Sequence, residues 1–246
     1  MHPIVLIPSR MAATRLPGKP LADINGRAMI LHVLDRAREA DIGPVAVACG
    51  DPEIAEAIRA DGGIAVLTDP TLPRGSDRVY AALSILDPAG HHDVIVNLQG
   101  DLPTIPPDYL RAVLAPLNDP AIDIATLVAP ITNDEEANAS QVVKAACSFE
   151  GGRAVSPALY FSRAPIPWGD GPRWHHIGIY AFRRQALARF VALPESPLER
   201  RESLEQLRAL EAGMRISCAR VEHAPFGVDT PDDLERAIRE LKRTQK

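Results

Sequence analysis

Short apolar runs without polar alternation recur through the first half of the chain, and segments of helical period separate them. Ile4-Val5-Leu6-Ile7, Val45-Ala46-Val47-Ala48, Ile64-Ala65-Val66-Leu67 and Val94-Ile95-Val96-Asn97 have this form, which is that of strands covered on both faces. Met29, Ile30, Val33, Leu34 and Ala37 repeat at the spacing of one helix face, and Pro52 to Ala60 and Arg78 to Leu86 also read as helices. Such alternation predicts an α/β fold: a mixed, mostly parallel sheet flanked by helices. Asn25-Gly26 predicts a tight turn after the first long loop. The second half is less regular. Ile124 to Val128, Val142 to Cys147, Ala154-Val155 and Ile177 to Phe182 read as strands without a clear helix in each gap, so mixed pairing and a β-arm are expected. Leu198 to Leu210 and Pro231 to Lys242 read as amphipathic helices, the second with Thr230 as N-cap, Pro231 at the first helical position and Asp232 and Asp233 in the first turn. No repeat or linker interrupts the chain, so one unit over 1–246 is expected.

Composition narrows the picture only slightly. Of 246 residues, 46% are apolar and 24% charged, the balance of an ordered globular protein. A net charge of −5 carries no footprint for nucleic acid, although a single nucleotide needs only a local positive patch. Cys49, Cys147 and Cys218 are widely spaced beside apolar segments, which predicts buried thiols in a reducing compartment. Met1-His2-Pro3 has no basic leader, and the apolar run after it is too short for a signal or a membrane span. A cytoplasmic protein, not bound to membranes, is expected.

The chemical signal is strongest just after the first strand. Pro8-Ser9-Arg10-Met11-Ala12-Ala13-Thr14-Arg15-Leu16-Pro17-Gly18-Lys19-Pro20 sets Arg10, Arg15 and Lys19 among small residues, glycine and proline. Parallel sheets place ligands at the carboxyl ends of their strands. Two guanidinium forks and an ammonium there suit a triphosphate. A solvated basic loop is the alternative, but no acidic residue between Pro8 and Pro20 pairs these cations. Lys19 precedes Pro20, so the loop is not a Walker A motif. Asp101, in Leu98-Gln99-Gly100-Asp101-Leu102-Pro103, follows the strand ending at Asn97 and is the first candidate for a magnesium ligand. An Asx turn would explain it equally well. Asp229 precedes a helix whose cap and dipole already have Thr230, Asp232 and Asp233, which leaves its carboxylate for another task.

Taken together, the segments IPSRMAATRLPGKPL, GSDRV, VNLQGDLP, YFSRAPIPW, HHIGIY, LEQLRALE and GVDTPDDLE resemble the CMP-Kdo synthetase family, the 3-deoxy-manno-octulosonate (Kdo) cytidylyltransferases. The resemblance runs nearly end to end. It implies a nucleotide-diphospho-sugar transferase type fold with a smaller β-arm for homodimerisation, and a dimer and sugar lobe within about 130–215. It implies transfer of CMP from CTP to Kdo with release of pyrophosphate, dependent on Mg2+, for lipopolysaccharide biosynthesis. Arg10 and Lys19 then match the phosphate-binding and catalytic pair, supported by Arg15, while Ser9, Ser76 and Arg78 fall where the family contacts the nucleotide. Asp101 and Asp229 match the metal ligands. Gln99, Arg163, His176, Tyr180, Glu205 and Gln206 match the pocket for the acidic sugar.

Read from the residues alone, Arg163 and His176 suit either a carboxylate and sugar hydroxyls or a structural role. Tyr180 alternates with Gly178 and Phe182 and so also fits a core position; Trp168 and Trp174 fit dimer contacts or sugar platforms. The chain departs from the family at Leu102, where glutamate is common, and in a short Trp168 to His175 segment. Two rivals are a cytidylyltransferase for another acidic sugar and a non-catalytic nucleotide-binding protein. The first is opposed by YFSRAPIPW, the second by the retention of Lys19, Asp101 and Asp229. No G-x-G-x-x-G follows the first strand, which opposes nicotinamide binding.

Overall fold

A computed structural model describes residues 1–12 and 15–244, and the chain divides into two compact units, residues 1–110 with 225–246, and residues 111–224. Ala13 and Thr14 of the basic loop lie outside the described residues.

The first unit carries β1 (Pro3–Ser9), the short hairpin β2 (Asp23–Ile24) and β3 (Arg27–Ala28), α1 (Met29–Glu39), β4 (Val45–Cys49), α2 (Pro52–Ala60), β5 (Ile64–Leu67), α3 (Gly75–Leu86) and β6 (Val94–Asn97). Its sheet runs β5-β4-β1-β6 and is parallel throughout. The expected α/β class is present. β6 is buried along its whole length, β1 and β4 are buried over most of theirs, and β5 at the edge leaves Ile64 and Leu67 exposed. Ala48 and Val66 from the sheet pack with Ala82 and Leu86 of α3. The hairpin turns on Asn25 and Gly26, both at positive φ (54° and 84°), the pairing a tight hairpin turn demands.

The second unit begins within α4 (Pro107–Ala112) and holds β7 (Ile124–Pro130), α5 (Asp134–Asn138), β8 (Lys144–Ala146), β9 (Val155–Pro157), β10 (Tyr160–Ser162), β11 (Trp174–Arg183), α6 (Arg184–Ala192), α7 (Pro197–Glu202), α8 (Leu207–Glu211) and β12 (Ile216–Arg220). Strand order is β11-β7-β12-β9; β8 pairs with β11, and β10 with β8. Of these pairs β7 with β12 is parallel and the others antiparallel, the mixed pairing expected. The single helix predicted from Leu198 to Leu210 is two helices. Ser203 breaks it at φ 54°, and Arg163 holds the break by donating from Nε to the Glu202 carbonyl (2.8 Å) and from Nη2 to that of Ser203 (3.3 Å).

The last helix, α9 (Pro231–Thr244), returns to the first unit, where Ala237 and Leu241 join Ile24, Met29 and Val228 in one core cluster. Its cap is reciprocal: the Asp233 amide donates to Thr230 Oγ1 (3.2 Å), and the Thr230 amide to Asp233 Oδ2 (2.9 Å).

Candidate functional site

The first unit opens a cleft of about 360 Å³ at the carboxyl ends of its parallel strands. Ser9 ends β1, Gly50 follows β4, the 68–74 loop leads from β5 into α3, and Gln99-Gly100-Asp101 follows β6. Five cations (Arg10, Arg15, Lys19, Arg74 and Arg78) and two carboxylates (Asp101 and Asp229) line it. In a chain of net charge −5, that local excess of positive charge marks a binding site for a polyanion. The amino end of α3, at Gly75, faces the same space and adds its dipole.

Close backbone approaches build this geometry. Gly18 enters the left-handed region (φ 69°) to start the single turn Lys19–Leu21, which aims Lys19 inward. Asp51 accepts from the Met11 amide (2.7 Å) and anchors the start of the basic loop. A Cβ on Gly100 would lie 3.0 Å from the Pro8 carbonyl oxygen, so a side chain there would push the Asp101 turn away from β1. The Val228 amide donates to the Asp101 carbonyl (2.9 Å), which joins the two aspartate-bearing segments.

The two aspartates converge on one ammonium. Lys19 Nζ donates to Asp101 Oδ2 at 2.9 Å and to Asp229 Oδ1 at 3.0 Å, and Arg15 Nη2 lies 3.0 Å from Asp229 Oδ2. Two of the cations that lack acidic partners within their own loop, Lys19 and Arg15, thus find them far along the chain. Burial opposes the charge on Lys19, but the charge and hydrogen bond of Asp101, joined by those of Asp229, prevail and hold its pKa above the ordinary value. Arg10 forms no hydrogen bond or ion pair among the described residues and is exposed in the cleft.

Arg78 is nearly fully buried, and its guanidinium donates from Nη1 to Thr68 Oγ1 (2.6 Å) and to the Asp69 carbonyl (3.2 Å). Burial, then the charge of Arg10, lowers its pKa. Arg78 therefore shapes the cleft wall while lining it. Ser76 is buried two residues earlier, and Ser9 Oγ is buried without a hydrogen-bond partner among the described residues. An unpaired buried hydroxyl is costly unless a ligand satisfies it. Gln99 lines the cleft with its amide 3.4 Å from Asn97 Oδ1. Leu102, at the family's glutamate position, is buried with Cδ2 3.9 Å from where a Cβ on Gly227 would stand; its role there is apolar packing.

The other predicted residues lie in the second unit. His176 is buried on β11 with its ring 4.7 Å from that of Phe161, and burial, with a smaller push from His175, drops its pKa to about 3. Thr126 Oγ1 lies within reach of the Ile177 and Ile179 carbonyls, to which it donates, so His176 Nε2 carries the proton and donates to that hydroxyl (3.0 Å). Tyr180 is half-buried; burial, then the charge of Glu205, raises its phenol pKa well above the ordinary value. Arg163 gives Nη1 to the Ser140 carbonyl (3.0 Å) besides the two carbonyls at the helix break. Gln206 is buried with Nε2 unpartnered among the described residues. Trp168 is 98% exposed, whereas Trp174 is buried against Phe149 at 4.5 Å, which makes it a core residue. Cys49 and Cys218 are buried as expected, and Cys147 is only partly so.

The family described as cytidylyltransferase matches residues 4–216. The chain belongs to the cytidylyltransferase family. It is 62% identical over 236 residues (96% of this chain, 92% of the relative) to a 3-deoxy-manno-octulosonate cytidylyltransferase of Rhodospirillum centenum. It is 59% identical over 242 residues, 98% of both chains, to one of Paramagnetospirillum magneticum. Among solved structures, a CMP:2-keto-3-deoxy-manno-octonic acid synthetase complexed with CTP superposes with a TM-score of 0.91 at 38% identity, covering 99% of this chain and 100% of that one.

Sequence reasoning passed over three residues that line or support this cytidylyltransferase cleft. Gly50 carries no motif, yet a Cβ there would stand 2.9 Å from Arg78 Nη1. Arg74 lines the cleft beside the GSDR segment that was read, and its charge was the available signal. Asp51 reads as the N-cap of a Pro-initiated helix, and nothing local reveals its bond to Met11.

Proposed function

We propose that this cytidylyltransferase activates Kdo with CTP, giving CMP-Kdo and pyrophosphate. The observation that carries the reading is the cleft itself, where five cations surround a converged carboxylate pair at the ends of parallel strands. The relatives' shared name supplies the sugar. The sugar's anomeric hydroxyl attacks the α-phosphorus of CTP; an O–P bond forms, the α–β anhydride breaks, pyrophosphate leaves with the electron pair, and the hydroxyl proton is released to solvent. Positioning and charge neutralisation dominate such transfers. Arg10, Lys19 and Arg15 hold the phosphates, and Arg10 is already uncommitted. Ser9 offers its unpaired hydroxyl to the nucleotide, and Ser76 and Arg78 form the wall beside it.

Asp101 and Asp229 would hold magnesium. Two carboxylates that converge on one cation, in a cleft with room for phosphate and water, are the donor set this ion uses. When bound, the ion lowers the pKa of the attacking hydroxyl and neutralises phosphate charge. Gln99, Arg163, His176, Tyr180, Glu205 and Gln206 are proposed for the sugar. The unpartnered amide of Gln206 supports this most directly, while Arg163 and His176 act through the segments they fix. Homodimerisation through the β-arm, a cytoplasmic location and a place in lipopolysaccharide biosynthesis go with the proposal on the strength of the resemblance; no helix among the described residues is long and apolar enough to cross a membrane.

The test is pyrophosphate release from purified protein with CTP, magnesium and Kdo, each omitted in turn. Release that needs all three is expected. Release with a different acidic sugar but not Kdo would refute the substrate, and silence with every sugar despite CTP binding would refute the enzyme.

A further inference from the structure

This inference rests on the phosphate and metal roles just proposed, and it concerns Lys19. A lysine that serves a triphosphate is expected to present its charge to the cleft. Instead its ammonium, with the side chain only 17% exposed, is spent on Asp101 and Asp229 together. The backbone segments that bear the two carboxylates are held without it: Val228 N–H holds the Asp101 carbonyl at 2.9 Å, and the Asp229 amide donates to Asp233 Oδ2 at 3.2 Å. Arg15 reaches Asp229 as well, but its side chain is 67% exposed and screened by water. One partly buried cation therefore sits at the point where the two metal-binding carboxylates meet.

We infer that Lys19 is a placeholder cation. In the nucleotide-free protein it neutralises Asp101 and Asp229 and so prevents two like charges from facing each other across the cleft. When nucleotide arrives with its metal, Lys19 releases the carboxylates and carries its charge to the phosphates. The protein then never exposes a bare acidic pair, and a free divalent ion competes poorly for a site already filled. Metal and nucleotide consequently bind as coupled ligands, each raising the affinity of the other by the same factor. Both positions of Lys19 follow from one residue with two sets of acidic partners, one internal and one on the substrate.

The probe is Mn2+, followed by its electron paramagnetic resonance signal on the full chain without nucleotide, in wild type, Lys19→Met and Asp101→Asn. Lys19→Met should bind Mn2+ at least about tenfold more tightly than wild type, because a monovalent charge next to the ion is gone. Mn2+ should likewise raise the thermal midpoint of Lys19→Met more than that of wild type. Lys19→Gln, which keeps a donor without the charge, should behave as Lys19→Met does. Unchanged or weaker Mn2+ binding in both variants, with Asp101-dependent binding intact when CTP is present, would overturn the placeholder role and leave the metal reading standing. No Asp101-dependent Mn2+ binding in any form, with or without CTP, would overturn both.

Discussion

His176 should make this protein acid-labile by a calculable amount. Its ring is buried and neutral with a pKa of about 3, against an ordinary value of 6.5. Above pH 6.5 the imidazole is neutral both folded and unfolded, and pH has no effect through this group. Below 6.5 the unfolded chain takes up a proton that the folded one refuses, so stability falls by about 1.4 kcal/mol per pH unit until the folded ring itself titrates near 3. Between pH 8 and pH 5 the loss is about 2 kcal/mol, and over that range the unfolded-state value alone sets it. Other acid-sensitive groups cancel in comparison with His176→Gln, whose amide can still donate to Thr126. Urea unfolding at both pH values, followed by fluorescence of the buried Trp174 in the same unit, measures the difference. Wild type should lose about 2 kcal/mol more than the variant on going to pH 5. Parallel losses would refute the buried neutral ring, as would a histidine proton resonance titrating near 6.

Two further substitutions test the frame of the site and its support. Gly50→Ala should raise KM for CTP about tenfold with little change in circular dichroism, because the new Cβ would displace the Arg78 guanidinium now 2.9 Å from its position; an unchanged KM would remove Arg78 from nucleotide binding. Arg208→Leu should cost about 3–5 kcal/mol by urea unfolding, since Arg208 and Glu199 form a bidentate ion pair with both side chains almost wholly buried. Adding Glu199→Leu should recover much of that loss, and a single-variant cost below about 1 kcal/mol would show the pair to be dispensable.

The strands of the first unit were legible because each is an unbroken apolar run, and predicted and observed bounds of Ile64–Leu67 and Val94–Asn97 coincide. α3 begins at Gly75, three residues before the predicted start, because Gly75-Ser76-Asp77 carries turn-like residues with no helical period to read. The break at Ser203 was illegible for a related reason: its stabilising donors come from Arg163, 40 residues away. β10 is three residues long and has no periodicity to detect. The site followed the same rule. Loop composition announced a basic, phosphate-binding segment, but the partners of Lys19 are 82 and 210 residues distant, and only the fold closes those distances.

The division of the first unit between residues 1–110 and 225–246 also bears on how the protein is made. A ribosome delivers Arg10, Lys19 and Asp101 early, then a whole second unit, and only afterwards Val228 and Asp229. Until that last segment emerges, Lys19 has one of its two acids and Asp101 lacks the amide that anchors it. A growing chain therefore cannot assemble the acid pair. Competence for transfer arrives in one event once the second unit has been made, and a product arrested before residue 229 would hold phosphate-attracting charge without the means to use it.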